Sequence, residues 1–74
     1  MAYKVGRCLL HELLREARME QIELASKLGV TPQQINKYAK DIQKMSLEVA
    51  MNISLILKCE IKDLYDWIEV GNNE

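Results

Sequence analysis

The sequence predicts an all-α fold, a compact domain of five short helices, on three observations. Apolar residues recur at helical intervals along most of the chain. Three glycines and one proline among 74 residues are too few for an all-β or loop-rich chain, which needs turn residues far more often. A hydrophobic content of 49% sets the chain apart from disordered segments. At this length about 60% of the unfolded chain's surface can be buried, so one economical core is expected, in a single domain over residues 1–70. The tail 71–74 has nothing to bury and is expected to fray.

Each element has its own local signal. From Arg7 to Ala17, the residues Leu10, Leu13, Leu14 and Ala17 follow the i, i+3, i+4, i+7 rule, with Cys8 and Leu9 extending the stripe. This predicts a first amphipathic helix, approached through Val5 and Gly6. Met19 connects it to a second helix from Gln21 to Leu28, in which Leu24, Ala25 and Leu28 share a face. Gly29 follows at once and suits the left-handed backbone of a helix end. Thr31 then offers a side-chain oxygen as N-cap, Pro32 a pre-set backbone angle at the first helical position, and Gln34 a capping-box partner. A third helix is therefore expected from Pro32 to Ala39 or Lys40, and the Gly-Val-Thr turn before it gives the spacing of a helix-turn-helix over residues 21–40. Ser46 caps a fourth helix, where Val49, Ala50, Ile53, Ile56 and Leu57 recur at core spacing. A fifth, short helix is expected between Ile61 and Ile68, with Leu64, Tyr65 and Ile68 on one side and Asp63 and Asp66 outward.

Composition narrows the function. No apolar run approaches the roughly 18 residues of a membrane span, and the amino end lacks the layout of a signal peptide, so a cytoplasmic protein is expected. Cys8 and Cys59 stand 51 positions apart with no Cys-x-x-Cys and no companion His cluster, and they read as free thiols with no metal site or disulfide framework. His11, the only histidine, has no Ser/Asp arrangement to work with, and the pairs Glu12/Glu16 and Asp63/Asp66 read as helix surface. Gly6, Gly29 and Gly71 cannot form a phosphate loop. An enzyme, a cofactor or a small-molecule substrate is not expected. The formal net charge of −1 conceals a division, since residues 1–44 carry eight Lys/Arg against five acids and residues 45–74 two against six. One part tolerates phosphate and the other repels it.

The third helix carries the candidate site. Taking about 100° per residue with Gln33 at 0°, Tyr38, Ile35 and Ala39 fall near 140°, 200° and 240° and define an inward edge. Asn36, Lys40, Gln33 and Lys37 share the opposite arc of roughly 100°. An α-helix fits the major groove of B-DNA, where Gln and Asn pair with adenine and Lys reaches guanine acceptors or a phosphate. Gln34 lies at the flank, taken by the cap or a phosphate.

The segments Met19-Glu20-Gln21-Ile22-Glu23-Leu24-Ala25, Leu28-Gly29-Val30 and Gln34-Ile35-Asn36-Lys37-Tyr38 resemble the helix-turn-helix of the Cro and phage-repressor family, also called the xenobiotic-response-element family. Met45-Ser46-Leu47 and Leu64-Tyr65-Asp66-Trp67 resemble a bacterial and phage branch of it, and the likeness covers nearly all of residues 7–68. The resemblance implies a five-helix, lambda-repressor-like domain that binds operator double-stranded DNA, commonly as a homodimer on a two-fold site, in a repressor-like regulator. By position it implies base reading by Gln33, Asn36 and Lys37. It implies phosphate contacts by Gln21, at the partially positive start of the second helix, and by Lys40 and Lys44; Thr31 and Gln34 at the start of the third helix are further phosphate candidates, and Arg18, where the family often has a small residue, adds another. The chain departs from the family pattern at Pro32, which stands at an early recognition position and reads no base, and at Glu20, where the family generally has a capping Ser or Thr. Ile68 and Val70 are the expected dimer contacts. A rival reading keeps the fold but makes it an antirepressor- or antitoxin-like protein-interaction module, docking a partner through Ile22, Trp67 and Val70.

Overall fold

Residues 2–71 are described by the structure, a computed structural model. Strand β1 (Ala2–Cys8) leads into α1 (Leu10–Ala17), α2 (Gln21–Leu28), α3 (Pro32–Ala39) and α4 (Leu47–Leu57). A short 3-10 turn (Ile61–Leu64) and strand β2 (Tyr65–Val70) follow. The expected fray over 72–74 lies outside the described residues.

Helices α2, α3 and α4 run over the residues their periodicity and caps predict. Thr31 Oγ1 accepts from the Gln34 N–H at 3.2 Å, and Ser46 Oγ from the Val49 N–H at 3.1 Å, satisfying donors that a helix start leaves free. Gly29 closes α2 at φ 83°, its N–H donating to the Ala25 carbonyl at 2.8 Å. Glu20 begins α2 without a side-chain cap bond, as its long carboxylate in place of Ser or Thr suggests. Leu10, Leu24, Ile35, Ile53 and Leu64 are fully buried at the centre of the core, one from each helix and one from the 3-10 turn.

The all-α, five-helix expectation is corrected at both ends. Four α-helices are accompanied by a two-stranded antiparallel sheet that pairs Ala2 with Val70, Lys4 with Ile68, Val5 with Trp67 and Cys8 with Tyr65. Arg7 and Cys8 belong to β1, not to the first helix, which starts at Leu10. The helix expected over Ile61–Ile68 stops after one turn. That turn is a sound start, since the Asp63 carboxylate accepts from the Glu60 N–H at 3.0 Å and the Glu60 side chain returns the bond. Beyond it, Tyr65, Trp67, Ile68 and Val70 are aromatic or β-branched and suit a pleated surface, and β1 supplies backbone partners that a helix would forgo. Gly6 permits the pairing: a Cβ there would stand 2.6 Å from the Asp66 carbonyl oxygen. No helix among the described residues is long and apolar enough to cross a membrane.

Candidate nucleic-acid interface

Helix α3 is held by its apolar edge and displays its polar one. Ile35 is fully buried and Tyr38 and Ala39 nearly so, whereas Gln33, Lys37 and Lys40 are exposed and Asn36 is half-buried on the same outer side. The cap at Thr31 and the packing of Ile35 fix the helix from both ends of its first turn, so the outer side chains project from a rigid element.

Gln34 departs from its expected role. Its backbone N–H takes the Thr31 cap, but its side chain does not return to complete a capping box. The Gln34 amide instead donates to Gln43 Oε1 at 3.0 Å, joining the first turn of α3 to the loop that follows the helix. Thr31 Oγ1 accepts the cap bond, which leaves its O–H free to donate. Gln21 is half-buried in the first turn of α2, and Arg18, exposed, ends α1 in a left-handed conformation at φ 55° just ahead of it.

The loop from Lys40 to Met45 is fastened at two further points that sequence spacing gave no sign of. Asp41, in the left-handed region at φ 60°, accepts the Cys8 backbone N–H with both carboxylate oxygens at 3.1 Å. The Tyr65 hydroxyl accepts from the Met45 N–H at 3.1 Å, and the Lys44 ammonium stands 5.7 Å from the centre of the same ring. The loop's two exposed cations, Lys40 and Lys44, thereby stand on backbone that is tied to the sheet. Partners 20 and 33 residues apart leave no local periodicity to read. An acid in a charged segment, such as Asp41, passes for a solvated one.

A capped helix packed by one edge, preceded by a helix ending in a left-handed glycine and followed by a pinned basic loop, is the geometry of a major-groove reader. Residues 10–69 match the family model of the Cro/C1-type HTH DNA-binding domain. The chain belongs to the Cro/C1-type helix-turn-helix family. This Cro/C1-type domain is also 32% identical, over 65 residues, to the SPbeta prophage-derived uncharacterized HTH-type transcriptional regulator YopS of Bacillus subtilis (strain 168). The alignment covers 86% of the present chain and 88% of that relative. The described residues hold no group of three His, Cys, Asp or Glu placed to share a metal ion.

Proposed function

We propose that this Cro/C1-type domain is a sequence-specific transcriptional regulator of the repressor type, acting in the cytoplasm as a homodimer on a two-fold operator. The observation that carries the reading is the exposure of Gln33 and Lys37, with Asn36 beside them, on a helix whose opposite edge is locked in the core. Gln33, Asn36 and Lys37 read base edges, the amides by paired hydrogen bonds to adenine and the ammonium at guanine acceptors. Lys40 and Lys44 contact phosphates from the pinned loop, and the Gln21 amide with the start of α2 holds another, as does Arg18. Thr31, whose O–H remains free to donate, and Gln34, through its second amide N–H, add phosphate contacts at the start of α3. The name of the prophage relative supports the regulatory half of the reading.

Selection of bound sites from a pool of random duplexes tests it. Recovery of a palindrome with half-sites about 34 Å apart, bound with a steep loss of affinity as salt rises, is the expected result. A pool that stays featureless at low salt contradicts it.

A further inference from the structure

A hollow of about 300 Å³ opens where the start of α4 meets the ribbon. Its floor is the buried Ala50 and Tyr65, and Val5, Ile61 and Trp67 wall it. The volume stands at the low end for sites that hold small organic molecules, and an apolar lining with few polar groups is what such sites have in common.

The polar groups here come from consecutive residues at one side. Lys44 and Ser46, both exposed, line the hollow, and no acid does. The polar atoms of the two rings are already engaged, since the Trp67 indole N–H donates to the Lys62 carbonyl and the Tyr65 oxygen accepts the Met45 N–H. Lys44 differs from them. Its ammonium forms no ion pair among the described residues and stands 5.7 Å from the centre of the Tyr65 ring. Ser46 Oγ accepts the Val49 N–H, which leaves its O–H free to donate. An uncompensated cation and a hydroxyl donor beside an apolar cleft complement a ligand with an anionic head and an apolar body. The rings narrow the choice of body. Tyr65 and Trp67 have centres 6.5 Å apart and planes inclined at 62°, so a third ring set between them can meet the face of one and the edge of the other.

We infer that this hollow binds a small aromatic carboxylate, its ring against Tyr65 and Trp67 and its carboxylate at Lys44 and Ser46, and that occupancy weakens DNA binding. The second half rests on the proposed function, which gives Lys44 to a phosphate. A carboxylate that neutralises this ammonium removes the charge a phosphate would meet, so acid and duplex each lower the other's affinity by the same factor. The other cation near Trp67 is less suited, because Lys62 already pairs with Asp63 at 3.9 Å.

The site is tested without DNA, so that its failure and that of the proposed function are distinguishable. Phenylacetate is the probe, phenylacetamide its uncharged counterpart, and the emission of Trp67, the only tryptophan, reports occupancy at constant ionic strength. The expected result is saturable binding of the acid with a dissociation constant below about 3 mM, and binding of the amide weaker by about threefold or more. Lys44→Met should bring acid and amide level, whereas Lys62→Met should keep the difference. Both lysines are exposed, so neither variant opens the core. In a second titration the saturating acid should lower the affinity of the wild-type chain for a selected duplex by about threefold or more and leave that of Lys44→Met unchanged. An emission unaltered by the acid up to about 20 mM, an amide that binds equally well, or a preference lost in Lys62→Met overturns the site. Binding of the acid with no effect on the duplex overturns the coupling. A chain that binds the acid and no duplex overturns the proposed function, and the coupling with it, while the site stands.

Discussion

Three side chains are proposed to touch base edges, but those that would make them usable are elsewhere. Tyr65 shows this most directly, because its hydroxyl accepts the Met45 N–H while its ring underlies the Lys44 ammonium. Tyr65→Phe keeps the ring and leaves the half-buried Met45 N–H without a partner, an expected cost of about 1–3 kcal/mol in chemical denaturation. DNA affinity should fall evenly across sequences in the same variant, since the loosened loop holds Lys44, proposed at a phosphate, and none of the proposed base readers. Gln33→Ala should behave oppositely, relaxing discrimination at one base pair by about 1–3 kcal/mol with a small change for unrelated duplexes. Lys44→Ala should weaken every duplex alike and lower the slope of log affinity against log salt by about 1. Competition titrations at two salt concentrations separate the three patterns.

At the scale of elements, stability rests on starts, stops and one close approach. Thr31→Ala removes the oxygen that caps α3 and should cost about 1 kcal/mol, read from the midpoint of urea unfolding. Gly6 and Gly29 resist substitution for different reasons. Gly29→Ala meets nothing within 4 Å and pays only for its positive φ, about 1 kcal/mol, whereas Gly6→Ala places a Cβ 2.6 Å from the Asp66 carbonyl and must part the strands. The larger loss is therefore expected at Gly6. The elements legible in the sequence were those decided within a few residues: α2, α3 and α4 have caps and periodicity inside their own spans. The ribbon was not legible, because β1 and β2 define each other across the whole chain. Leu64, Tyr65 and Ile68 satisfy helical spacing as well as Tyr65, Trp67 and Glu69 satisfy alternation. Trp67 lies 44% exposed on the strand, its indole N–H donating to the Lys62 carbonyl at 2.9 Å. The outer face of α3 was legible for the reason α3 itself was. The fastenings at Asp41, Gln43 and Tyr65 depend on tertiary neighbours and were not.

For the molecule as a whole, burial links the fold to alkaline pH. The Cys8 and Cys59 thiols and the Tyr65 phenol are all pushed above their ordinary values, in each case chiefly by desolvation. The unfolded chain gives up these protons first, so their contribution to stability is intact below the ordinary thiol value and is lost as pH rises through the folded ones. The melting temperature should be level from neutrality to about pH 8.5 and fall above it, with a shallower fall in Cys59→Ala, which deletes one ionising group. Charge is also divided at this scale. Of the acids of the carboxyl-terminal part, Asp63, Asp66 and Glu69 lie on the 3-10 turn and β2, whereas Lys37 and Lys40 of the amino-terminal part are exposed on α3 and just beyond its end.

The placement of α3 in the major groove is tested most directly by the side-chain amide resonances of Gln33 and Asn36, followed by NMR as a selected duplex is added. Large shifts of both, with Gln33→Ala abolishing preference at a single base pair, are the expected result. Resonances that stay unmoved while Leu47, Met51 or Trp67 respond would contradict it.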